Sequence, residues 1–235
     1  MSHYLLTLLL GPLLLLQGRT VRINTPTLPE PPGDRQGVKG KGPKLSILII
    51  GDSAAAGVGA NHQDEALLGQ LIAQLSSNYC VKWKLTAVTG ATTQSINQAL
   101  ASQEREIYDV VVTSLGVNDV TGNISPQRWQ KQQAIFRKAI VQKYSPSLVI
   151  VSGLPPMGAF PALPNPLRWY LGRRAKLFNR ILRQELSNTE NIKLIIKEGI
   201  PDSKGMASDG FHPGPPFYRE WARSISGIIK ESQVP

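Results

Sequence analysis

An α/β fold of the three-layer, open-sheet type is what this sequence predicts, and three observations predict it. Short apolar runs rich in β-branched residues recur five times after Lys44. Each is separated from the next by a longer stretch whose apolar residues recur at helical spacing. The chain, 235 residues with 41% hydrophobic and only 18% charged, is long enough for one sizeable core and is not of disordered composition. Apolar runs buried on both faces and joined by helices define a mostly parallel sheet covered on each side.

The elements follow in chain order. Leu5 to Leu16 is nearly all leucine, interrupted by Thr7, Gly11 and Pro12. That is shorter than the roughly 18 to 20 apolar residues a bilayer-crossing helix needs. No Lys or Arg precedes the run, whereas Arg19 and Arg22 follow it, the reverse of an ordinary export signal. Residues 1–18 therefore read as a signal peptide or as an uncleaved membrane-associating segment, and the absence of cysteine there excludes a lipoprotein anchor. The location that follows is membrane-associated or exported to the cell envelope, with a cytoplasmic one also open. Residues 19–44, ending in TPTLPEPPGDRQGVKGKGPK, read as a basic Pro/Gly-rich linker, and 45–235 as the folded domain.

Within that domain the expected strands are LSILII (45–50), VKWKLTAV (81–88), DVVVTSL (109–115), SLVIVSG (147–153) and NIKLII (191–196), a central sheet of about five. Leu67, Leu68, Leu71, Ile72 and Leu75 predict a helix over 64–75 with Asp64 as its N-cap. Further helices are expected at 93–104, 126–143, 166–187 and 215–231. In the fourth of these five helices Leu171, Ala175, Phe178, Leu182 and Leu186 form a core stripe, and Arg173, Lys176, Arg180 and Arg183 a basic one. The basic stripe is either a solvated face or a contact for anionic lipid headgroups. The Pro-rich loop GLPPMGAFPALPNPLRWYLG (153–172) carries Met157 and Phe160, which either wall the site or pack onto their own helix.

In open parallel sheets ligands bind beyond the carboxyl ends of the strands, so the loops there matter most. The first holds Gly51-Asp52-Ser53, the second Gly90, and the third Gly116-Val117-Asn118-Asp119; a C-terminal segment reads Asp209-Gly210-Phe211-His212-Pro213. Together they could support acyl transfer to serine, which needs a hydroxyl, a base, a carboxylate to orient the base, and donors for the oxyanion. Ser53 supplies the hydroxyl, His212 the base, and Asp209 the carboxylate that fixes the tautomer. The Gly90 N–H can approach a ligand closely, and the Asn118 amide is a further donor. Asp52 and Asp119 read as acceptors for local amides, His62 as solvent-facing, and Cys80 as a buried inert thiol. His3 belongs to the leucine-rich head. Three scattered histidines and one cysteine make no readable metal cluster, and no cofactor is called for.

In that order GDS, the isolated Gly90, GVND and DGFHP resemble the conserved blocks of the SGNH (GDSL-like) hydrolase family, over Leu45 to the C-terminus. The resemblance implies a flavodoxin-like α/β/α sandwich and metal-independent ester hydrolysis of an esterase or lysophospholipase kind. It maps the triad to Ser53, Asp209 and His212 and the oxyanion hole to Ser53, Gly90 and Asn118. One departure is Ala54, where the family often has Leu, which implies a roomier site. Ala54, Met157 and Phe160 are the substrate-contacting candidates. A polysaccharide O-deacetylase or acyltransferase would use the same catalytic set. The net charge of +10 also suits a non-catalytic basic binding module, but no base-reading motif is present and nucleic acid is not expected as a partner. An ester substrate and an anionic membrane surface are the partners to expect.

Overall fold

The computed structural model describes residues 3–122, 124–196, 205–232 and 234, with side chains from Leu10 onward, so the side chain of His3 lies outside it. Its centre is a six-stranded sheet in the order β1-β3-β2-β4-β5-β6. The strands are β1 Gln36–Lys39, β2 Lys44–Gly51, β3 Cys80–Ala87, β4 Val110–Ser114, β5 Leu148–Ser152 and β6 Ile192–Ile195. Strands β2 to β6 pair in parallel throughout. Counted from β2, that order is 2-1-3-4-5, the flavodoxin-like winding, with its reversal between β2 and β4.

Side chains alternate across the sheet with period two. Leu48, Ile50, Val111, Val149 and Val151 point to one face. Ile47, Ile49, Val110, Val112 and Ile150 point to the other. The first face is covered by α1 (His3–Asn24), α4 (Thr93–Ala101), α5 (Val117–Thr121), α6 (Pro126–Tyr144) and α7 (Leu167–Leu186). The second is covered by α2 (Ser53–Ala56), α3 (Leu67–Leu75) and α8 (Pro215–Glu231). Trp129 of α6 stacks on Phe178 of α7 at 4.2 Å between ring centroids, and Arg137 pairs with Glu185 between the same helices.

Four expectations change. The sheet has six strands, because residues 36–39 of the expected linker pair antiparallel with β3 and cover its otherwise open edge. The N-terminal helix runs past residue 18 to Asn24, and Leu14 is buried against the domain. Asp64 does not cap α3. It lies in a short 3-10 turn (Gln63–Glu65) capped by the exposed His62, and α3 begins only after Ala66. Cys80, the first residue of β3, is half-buried rather than buried.

Candidate active site

Strand β2 ends at Gly51, where a Cβ would lie 2.5 Å from the Ser114 carbonyl oxygen and 2.4 Å from Ala55 Cβ. Only glycine allows so close a passage, and it turns the chain straight into α2. Asp52 caps that helix by accepting the Ala54 N–H at 3.1 Å, which leaves Ser53 as its first residue. The first N–H groups of a helix lack intrahelical partners and favour negative charge nearby.

The C-terminal loop comes to meet it. His212 Nε2 lies 2.9 Å from Ser53 Oγ, although 159 positions separate the two residues. His212 Nδ1 lies 2.5 Å from Asp209 Oδ2. The other Asp209 oxygen accepts the backbone N–H groups of Phe211 and His212, each at 2.9 Å. Burial pushes the Asp209 carboxyl up, but the imidazole and the two N–H groups outweigh it and hold the group below the ordinary carboxylate range. An ionised Asp209 accepts a hydrogen bond from Nδ1–H, so Nε2 is left as the acceptor facing the serine hydroxyl.

The loops that follow β3 and β4, the two neighbours of β2, lie at the same end of the sheet. Gly90 has φ +81°, a left-handed conformation natural to glycine, and open space where a Cβ would stand. Asn118, in α5, donates through Nδ2 to the Ala91 carbonyl at 2.9 Å, which ties the two loops and leaves its second amide hydrogen for another acceptor. Asp119 turns away from the site and accepts the Thr93 N–H and hydroxyl at 3.0 and 2.8 Å. Asp52 is 2% exposed, and burial pushes its carboxyl up to about 7.

Beside Ser53 and His212 a mainly apolar cavity of about 80 Å³ opens between the ends of β4 and β5, lined among others by Ala54, Leu115, Leu154, Phe160, Phe211 and Trp221. Ala54 and Phe160 therefore line the cavity beside the serine. Met157 does not: it is fully buried beneath the loop, in the core that α7 covers. Phe160 meets Phe211 edge to face at 5.2 Å, and Phe211 in turn adjoins the His212 ring.

Four supporting residues escape a sequence reading. Glu30 accepts the Thr89 N–H and hydroxyl at 3.0 and 2.6 Å, and Arg35 pairs with the same carboxylate while donating to the Ala87 carbonyl, so both grip the loop that carries Gly90. Nothing in the Pro-rich stretch marks Glu30 in advance. Arg174 is 7% exposed and donates to the carbonyls of Val120 and Ile124, fixing the end of α5 and hence Asn118. Its position in phase with Leu171 and Phe178 was the available clue. Asn179 bonds both the N–H and the carbonyl of Leu154, pinning the cavity loop.

A flavodoxin-like sandwich with a serine, a histidine and an aspartate in line at the sheet's switch point falls in the class of serine-type carboxylic ester hydrolases. The sequence matches the GDSL-like Lipase/Acylhydrolase family over residues 49–220, and the chain belongs to that family. A comparison with curated proteins found no match. Solved structures with the same fold include TesA (21% identity, TM-score 0.61, covering 80% of this chain and 99% of that one). They also include the lipase Lip_vut3 from a goat rumen metagenome (19%, 0.60, 81% and 98%). A third is Est24, a carbohydrate acetylesterase from Sinorhizobium meliloti (17%, 0.58, 80% and 99%).

Proposed function

We propose that the chain hydrolyses esters of short acyl groups through an acyl-enzyme on Ser53. Ser53 Oγ attacks the ester carbonyl carbon as His212 Nε2 takes the hydroxyl proton. The carbonyl oxygen becomes an oxyanion that accepts hydrogen bonds from the Ser53 and Gly90 N–H groups and from Asn118 Nδ2. Collapse breaks the bond to the alcohol, which leaves with the proton from His212. Water then attacks the acyl-enzyme, giving its proton to His212, and the carboxylic acid departs as Ser53 regains its hydrogen. Asp209 stays ionised throughout and steadies the imidazolium.

The observation that carries this reading is the line of two hydrogen bonds, 2.9 Å from Ser53 to His212 and 2.5 Å from His212 to Asp209. The short-acyl preference rests on the cavity, about 80 Å³, against the ~150 Å³ of an engineered cavity that accepts benzene. p-Nitrophenyl esters from acetate to decanoate test it: kcat/KM is expected to peak at the short esters and to vanish in Ser53→Ala. A peak at decanoate would contradict the acyl assignment, and a Ser53→Ala variant at the parent rate the nucleophile.

The small cavity equally favours an acetyl group carried on a polysaccharide, so O-deacetylation by the same catalytic set is the second reading. Acetate release from acetylated xylan much faster than from p-nitrophenyl acetate would select it.

A further inference from the structure

The charge of this protein is segregated. Residues 1–29 and 120–184 hold 13 of the 26 Lys and Arg residues and no Asp or Glu, while the rest of the chain holds 13 basic residues against 16 acidic and is net negative. The structure brings these two stretches into contact. Gln17 of α1 bonds the Asn165 carbonyl at 2.8 Å and the Leu167 N–H at 3.0 Å, so α1 is fastened to the start of α7. Leu14 is buried at that junction, and Leu10 and Val21 pack on the same side.

The outward side of α1 is apolar as well. Leu15 is 77% exposed, Leu16 63% and Ile23 71%, with Arg19 and Arg22 exposed among them. On α7, two residues beyond the Leu167 that Gln17 bonds, Trp169 is 41% exposed and Arg173 lies over its ring at 5.1 Å. A helix that buries one apolar side and offers another to solvent has an unsatisfied surface. No described helix is long and apolar enough to cross a membrane. Leucines and a tryptophan framed by arginines match the headgroup boundary of a bilayer, where apolar side chains reach the acyl region and cations meet lipid phosphates.

We infer that the outer face of α1, with Trp169 and Arg173 of α7, docks the protein on the surface of an anionic phospholipid bilayer, α1 lying in the headgroup plane. A second copy of the chain is a poor occupant, because a self-complementary contact would set this basic face against itself. A nucleic acid leaves the leucines unburied. Docking here brings the bilayer near the catalytic end of the molecule: the loop leading into α7 carries Phe160, which lines the cavity, and Ala162, which donates to the Gly210 carbonyl. The inference does not depend on the esterase reading, since it concerns binding alone.

The test is flotation of the purified full chain, its intact N-terminus verified by mass spectrometry, with vesicles of phosphatidylcholine containing about 30 mol% phosphatidylglycerol or none. The protein is expected to float at least about ten-fold better with the anionic vesicles and to detach as NaCl rises from about 0.05 to about 0.5 M. Leu15→Glu with Leu16→Glu should lower binding about ten-fold or more, and Arg19→Glu with Arg173→Glu several-fold, each with hydrolysis of a soluble ester unchanged. Absence of flotation, equal flotation with neutral vesicles, parent-like binding by the leucine variant, or a lipid-free dimer abolished by that variant would each overturn the inference.

Discussion

Asp52 sits one residue before Ser53 and keeps a carboxyl away from water, with the Ala54 N–H as its local partner. Burial raises it from 3.8 to about 7, so between those values the folded protein holds a proton that the unfolded chain has released. The stability this contributes is complete below about 4 and is lost as pH rises through about 7. Asp52→Asn keeps the capping oxygen and does not titrate. Its urea-unfolding free energy should therefore gain on the parent between pH 4 and 8, by a few kcal/mol at most; a constant gap would show that Asp52 titrates as an ordinary carboxylate. At the other side of the site, Asn118→Ala removes a donor and should lower kcat by ~10²–10³ with little change in KM, as measured on p-nitrophenyl acetate. Parent-like turnover would take Asn118 out of the oxyanion hole. The loops that hold Ser53, Gly90, Asn118, Asp209 and His212 stood out beforehand because each follows a strand or is turn-rich, and of these residues the structure brings Ser53, His212 and Asp209 into hydrogen-bond contact. Met157 was misplaced because periodicity says nothing about which side of a Pro-rich loop faces a cavity.

Among the elements, strands β2 to β6 and helices α3, α4, α6, α7 and α8 were readable from their apolar periodicity. Strand β1 was not, since QGVK is four residues with no apolar run and exists only as a partner for the edge of β3. Helices α2 and α5 span four and five residues, too short to display any period. What holds these short pieces in place is itself testable. Glu30→Ala should loosen the loop of Gly90 and lower kcat about ten-fold while KM stays within about two-fold. Glu30→Gln, which retains an acceptor for Thr89, should recover most of the rate, and equal rates in all three proteins would deny Glu30 a positioning role. Arg174→Ala strips donors from the buried carbonyls of Val120 and Ile124. A loss of about 3 kcal/mol is expected, seen calorimetrically as a fall in Tm of roughly 6–12 °C. An unchanged Tm would mean that water replaces the guanidinium at no cost.

On the scale of the whole molecule, the 2-1-3-4-5 winding is what makes a site from distant parts of the chain. It sets the ends of β3 and β4 on either side of β2, so Gly90 and Asn118 flank Ser53, and α8 returns with the His212 loop at its head. The sharing of charge, with a basic α1–α7 side and a net-negative remainder, lay in the sequence as a 65-residue stretch without an acid. Its meaning depended on seeing α1 fastened to α7. The claim on which the rest depends is that Ser53 is the activated hydroxyl, and covalent labelling tests it most directly. Incubation with a fluorophosphonate, followed by peptide mass spectrometry, should find one adduct per chain on Ser53, none in Ser53→Ala, and labelling slowed by at least ~10²-fold in His212→Ala. An adduct on another residue, or none on the folded parent chain, would contradict it.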